Sequence, residues 1–142
     1  MRVLGLDVGE RRIGLALSDE GGILATPRGA MERRSPSEDV VAILEIARRE
    51  GVGRIIVGLP ASLSGGLGPQ AERTLAFRRL LEEGSPVPVE SWDERLSTVE
   101  AGRRLREAGV SPSREKGRRD AAAAAVVLQA YLDATSERRG EQ

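Results

Sequence analysis

The chain has 142 residues, a length that suits one domain burying roughly 68 to 70% of the surface its unfolded form exposes. It contains no cysteine and no histidine, which excludes disulfides, thiolate nucleophiles, zinc-type ligand sets and imidazole bases. Its 22 basic and 22 acidic residues cancel, which argues against coating nucleic acid by bulk electrostatics.

No apolar run approaches the roughly 20 residues of a membrane span, and "MRVLGLDVGE" carries an acid and glycines where a signal peptide has its apolar centre. The expectation is a soluble, cytoplasmic protein. The runs "RVLGLDVG" and "RRIGLALSD", joined through a glycine and charged residues, predict an antiparallel hairpin, and "GILATPRGA" a third strand. "SPSEDVVAILEIARREG" then switches to helical spacing, with Val40, Ile43, Leu44 and Ala47 on one face. Ser35 as N-cap, Pro36 at the first helical position and Glu38 as the return partner of a capping box mark its start.

"RIIVGLP" is apolar throughout and reads as a strand covered by helices on both faces. After the loop "ASLSGGLGPQ" comes a second helix, "PQAERTLAFRRLLEEG", with Ala71, Leu75 and Leu81 inward. "VPVESW" predicts the fifth strand, and Ser97 with Glu100 forms a capping box opening a third helix to about Ala108. "GVSPSREKG" is a loop and "RRDAAAAAVVLQAYLDA" a long closing helix. Residues 1–135 are expected to form one domain and 136–142 a flexible tail. The order β-β-β-α-β-α-β-α-α implies an α/β fold, a mixed five-stranded sheet with helices on both faces.

Three acids need explaining. Asp7 sits among Val3, Leu4, Leu6 and Val8, in the strand that reads as the most buried. Glu94 follows the fifth strand directly, with Asp93 as the alternative at the same place. Asp120 heads a helical stripe formed with Ala124, Val127, Leu128 and Tyr131, although an acid there also suits a helix cap. If the first and fifth strands lie side by side and the last helix crosses them, the three carboxylates converge. Converging carboxylates repel unless a cation sits among them. Oxygen ligands without histidine or cysteine favour Mg²⁺, with Mn²⁺ as a substitute. Such a set suits two-metal hydrolysis of a phosphodiester.

"DVGERRIGLALSD", "GLPASLSGGLGPQA", "DERLST" and "KGRRDAAAAAVVLQAYL" together resemble the YqgF/RuvX family, bacterial proteins described as Holliday junction resolvases and as nucleases maturing small-subunit ribosomal RNA precursors. The resemblance spans nearly the whole chain, with the motifs in order. It implies a ribonuclease H-like fold, with Asp7, Glu94 and Asp120 as catalytic acids and metal ligands. Glu10 and Arg11 replace a small polar residue and a lysine, Ser62 and Ser64 an asparagine and an aspartate, and Ser97 a threonine. Position 64 is thereby left without an acid.

The substrate-binding positions that accompany these motifs are Gly9, Arg11 and Arg12, then Arg95 and Thr98, then Lys116 and Arg118. Gly5 and Gly9 would let a phosphate backbone approach Asp7, and each also suits strand packing or a turn. Arg12 suits either substrate phosphate or a carboxylate partner. Of the 22 basic residues 21 are arginine, whose planar fork matches phosphate. Between Arg103 and Arg119 seven positive residues face two negative ones, which suits a phosphate-tracking stripe or a solvated helix face.

The expected partner is nucleic acid, structured RNA before branched DNA, in ribosomal precursor particles, with no membrane role and a monomer or homodimer. Two other readings stay open. The first motif also resembles the phosphate loop of actin-like sugar and acetate kinases, which need a second lobe this length does not supply. A non-cutting RNA-binding module is the other; with one Trp, one Tyr and one Phe it would read backbone, not stacked bases.

Overall fold

The computed structural model describes residues 1–60, 68–96, 99–109 and 116–140, with the side chains of 116–118 and 136–140 excepted. Five strands, β1 (Arg2–Val8), β2 (Arg12–Ser18), β3 (Ala25–Glu32), β4 (Val52–Leu59) and β5 (Val89–Asp93), form one sheet in the order β3-β2-β1-β4-β5. β1 runs antiparallel to β2 and parallel to β4; β3 is antiparallel to β2 and β5 parallel to β4. The helices are α1 (Pro36–Arg49), α2 (Pro69–Gly84), α3 (Val99–Glu107) and α4 (Lys116–Gly140), with a 3₁₀ turn over Glu94–Leu96. The order of elements matches the sequence expectation.

Strand alternation divides the core into two layers. Leu4, Leu6, Val8, Ile13, Leu15, Leu17, Ile55 and Val57 face α1 and α2, where Val40, Ile43, Ala47, Phe77 and Leu81 meet them. On the other face Val3, Ala16 and Ile56 pack on Ala124, Ala125, Leu128, Tyr131 and Leu132 of α4 and on Leu105 of α3. Leu44 and Leu75 are only partly buried, and Thr74 and Phe77 hold the inward positions of α2 that were expected of Leu75.

The start of α1 is as its sequence requires. Ser35 Oγ accepts from the Glu38 amide at 3.2 Å and lies 3.2 Å from the Glu38 carboxylate. α4 is longer than expected at both ends, beginning at Lys116 and running to Gly140. Its alanine run favours helix and lets the axis lie close to the sheet. Gln129, fully buried, ties that helix to the third strand by accepting from the Ala25 amide and donating to the Ile23 carbonyl, both at 2.9 Å.

No helix among the described residues is long and apolar enough to cross a membrane. The loop 61–67 with Ser62 and Ser64, the capping residue Ser97, and Thr98 lie outside the described residues.

Candidate active site

Asp7 belongs to the face of β1 that carries Val3 and Gly5, toward α4. Its partners across the sheet are Gly14 in β2 and Gly58 in β4, so it stands between two positions that have no side chain. A Cβ at Gly14 would lie 2.0 Å from the Asp120 carbonyl oxygen. Only glycine there lets the first turns of α4 rest on the strand, and that contact brings Asp120 to the Asp7 end of the sheet. A Cβ at Gly58 would lie 3.3 Å from Val127 of α4, so glycine there also serves the close seat of that helix.

Across that gap the Asp7 carboxyl lies near enough to Glu94 to share a proton with it. Burial, the charge and hydrogen bond of Glu94, and the charge of Asp120 together push Asp7 up to about 7. Water loss and two neighbouring anions both disfavour its ionised form. Asp7 and Glu94 therefore lie near one another, with Asp120 near enough for its charge to act on Asp7, but not by the route expected from sequence. β1 and β5 are not neighbours; β4 lies between them, with Gly58 opposite Asp7.

Asp120 is the fifth residue of α4, inside the helix and not at its cap. Its Oδ2 accepts from Arg12 Nε at 2.8 Å, with the two side chains 28% and 33% exposed. Asp93, the alternative to Glu94, is committed elsewhere: its carboxylate takes the Arg95 amide at 2.8 Å and the Arg95 guanidinium at 2.7 Å. Arg95, read from the sequence as a substrate-binding position, is exposed and pairs with Asp93.

Among the described residues no group of three acids is placed to hold a metal ion as it stands. The donor chemistry nevertheless suits a hard cation. All three groups are carboxylates, and the pressure on Asp7 is that of a site short of positive charge. Arg12 supplies part of that charge to Asp120.

Arg11 is exposed and forms no salt bridge among the described residues. Gly9 closes the β1–β2 hairpin, its amide donating to the Arg12 carbonyl at 2.9 Å, and a Cβ would lie 2.9 Å from that oxygen. Gly5 faces Leu128, whose Cβ would lie 2.8 Å from an added one. Its role is helix packing, and the phosphate approach expected at this residue does not apply. In the arginine-rich stretch Arg103 pairs with Glu100 and Glu107 and Arg104 with Asp133, while Arg119 is exposed. Lys116 and Arg118 lie in the first turn of α4, their side chains outside the described set.

Sequence reasoning missed two contributors. Gly14 could have been found as an isolated glycine in an apolar strand, a sign of close backbone approach. Asp39, 1% exposed, pairs with Arg33 at 3.2 Å, and Arg33 reaches the Gly9 carbonyl at 3.0 Å while its guanidinium lies 5.0 Å over Phe77. This ion pair braces the hairpin turn that follows Asp7.

A family model described as "RuvX: Holliday junction resolvase" matches residues 1–134. The chain belongs to the RuvX family. Relatives of this RuvX chain include a protein of Symbiobacterium thermophilum named "Putative pre-16S rRNA nuclease", 51% identical over 141 residues, covering 99% of this chain and 98% of its own. One of Halothermothrix orenii carries the same name at 45% identity, with 99% and 100% covered. Among solved structures, Thermus thermophilus RuvC in complex with a Holliday junction superposes with a TM-score of 0.66 at 16% identity, covering 96% of each chain. The fowlpox virus Holliday junction resolvase gives 0.56 at 11%, covering 94% and 99%. The shared fold is that of these resolvases, an α/β mixed sheet of the ribonuclease H-like kind.

Proposed function

We propose that this RuvX protein is a nuclease of the small-subunit ribosomal RNA precursor, a phosphodiester hydrolase that works with divalent metal at Asp7, Glu94 and Asp120. The observation that carries the reading is Asp7, pushed up to about 7 by burial and by Glu94 and Asp120, beside the close seat of Asp120 on Gly14. Family membership and the names of its relatives support the activity and the ribosomal substrate.

The three carboxylates would hold Mg²⁺, or Mn²⁺ in its place. Such ions supply Lewis-acid stabilisation and an activated water in phosphodiester hydrolysis. The chain's own contribution is orientation and charge. Burial and the neighbouring acids disfavour the ionised form of Asp7, so positive charge arriving there would favour its ionisation. β1 and α4, locked by the Gly14 contact, fix Asp7 relative to Asp120. Arg11, Arg12 and Arg119, with Lys116 and Arg118 on the first turn of α4, would hold substrate phosphates around that end, as the guanidinium fork suits. A cytoplasmic protein that meets ribosomal precursor particles as monomer or homodimer fits this reading.

The test is a cleavage assay offering three substrates side by side with and without Mg²⁺: a 16S precursor fragment, an unrelated single-stranded RNA and a synthetic four-way DNA junction. The expected result is metal-dependent cutting of the precursor fragment, lost in Asp7→Asn. Preferred cutting of the junction would move the substrate to branched DNA; cutting of none would leave a passive RNA-binding module.

A further inference from the structure

We propose that Arg12 is a positioning residue that acts as a resident counter-charge: its guanidinium holds Asp120 until a substrate phosphate draws it away and a divalent ion takes its place. The inference rests on the metal-site reading above and adds to it an order of events.

The geometry is that of an exchangeable latch. Arg12 Nε meets Asp120 Oδ2 at 2.8 Å, a charge-assisted bond of good length. Both side chains are nearly one-third exposed, so water screens the pair and little is lost in breaking it. Arg12 begins β2 and Asp120 lies 108 residues later, placed beside it by the contact of α4 on Gly14. The acids whose charges act on Asp7 of β1 are Glu94, from the turn after β5, and Asp120 itself.

As they stand these acids do not form a three-ligand cluster, although Glu94 and Asp120 both act on Asp7. The member committed to another partner is Asp120, and that partner is Arg12. A phosphate oxygen is the competing acceptor an arginine fork prefers, since it offers charge and bidentate geometry together. Once Arg12 turns to phosphate, Asp120 is released at the moment the substrate's negative charge enters. Metal binding and nucleic-acid binding then assist one another, and the coupling is reciprocal.

A guanidinium with a purely structural role predicts the opposite effect of its removal. Without Arg12, Asp120 would loosen and the metal would bind less well; with a latch removed, the metal binds better.

The experiment is a calorimetric titration of Mn²⁺ into the full-length protein without nucleic acid, comparing wild type, Arg12→Gln, Arg12→Lys and Asp7→Asn. Folding of each is checked by the fluorescence of the single tryptophan, Trp92, which packs edge-on against Tyr131 at 5.5 Å. Arg12→Gln should bind Mn²⁺ about tenfold more tightly than wild type, a coupling of ordinary size. Arg12→Lys, which keeps the charge but loses the planar fork, should fall between. If Arg12→Gln proves unfolded, Arg12→Lys decides. A repeat with a cleavage-resistant RNA hairpin should raise wild-type affinity more than that of Arg12→Gln.

Mn²⁺ affinity in the deciding variant that equals or falls below wild type overturns the latch while leaving the three-acid site standing. Wild-type affinity in Asp7→Asn would show instead that the ion binds elsewhere, and would overturn the metal-site reading and the latch together.

Discussion

Asp7 is the residue on which burial and charge act most strongly. Its folded proton affinity exceeds the unfolded one, rising from 3.8 to about 7. Without metal, this group's contribution to stability is therefore full below about pH 4 and is lost as the pH rises through about 7. The loss amounts to as much as about 4 kcal/mol. Asp7→Asn cannot ionise, so in chelator its urea midpoint should change little between pH 5 and pH 8.5 while that of wild type falls; parallel slopes would contradict the burial argument. Asp39 is the contrasting case, a buried acid satisfied by Arg33 and by the Arg34 amide at 3.0 Å. Asp39→Ala strands the Arg33 guanidinium and should cost about 3 kcal/mol in urea denaturation. An exposed Asp19→Ala would serve poorly as a control, because Asp19 holds the amides of Ile23 and Leu24.

At the scale of elements, the close seat of α4 on the sheet decides whether the acids meet. Gly14→Ala would bring a Cβ to within 2.0 Å of the Asp120 carbonyl, so the helix start must move. The expected outcome is a loss of about 1–3 kcal/mol from overpacking. Cleavage should fall by roughly 10²-fold, since a displacement near 1 Å at a reacting centre has that effect. Unchanged activity would mean that the Gly14 contact does not position Asp120. Much of the element order could be read beforehand because its signals are local: capping at Ser35 and Glu38, the switch from strand to helical spacing, the apolar run Ile55–Val57. The lateral order of strands is not local. Nothing in the spacing of β1 and β5 says that β4 lies between them, and hence nothing announced that Gly58 had to be small. The inward face of α2 was misread because Thr74 satisfies its hydroxyl on the Gln70 carbonyl at 3.0 Å, which lets a polar residue sit where Leu75 was expected.

For the whole molecule, net charge zero conceals local pairing of acids with arginines, Asp120 with Arg12 and Asp93 with Arg95. The acids were legible as unusual residues in apolar settings, and Arg12 as a residue suited to a carboxylate; which carboxylate it takes was not, because Arg12 and Asp120 lie 108 residues apart. In the proposed reading Asp7, Glu94 and Asp120 act together as one divalent-metal centre in a nuclease. The most direct test follows the thermal midpoint during a Mg²⁺ titration with a cleavage-resistant precursor RNA present, for wild type and for Asp120→Asn. An ion that binds only the folded site stabilises it by mass action, and a site that relies on substrate oxygens for some of its ligands fills in the millimolar range, an order-of-magnitude expectation. The wild-type midpoint should rise across that range while that of Asp120→Asn stays nearly flat. Identical rises in the two proteins would contradict that reading, because Asp120 would then take no part in holding the ion.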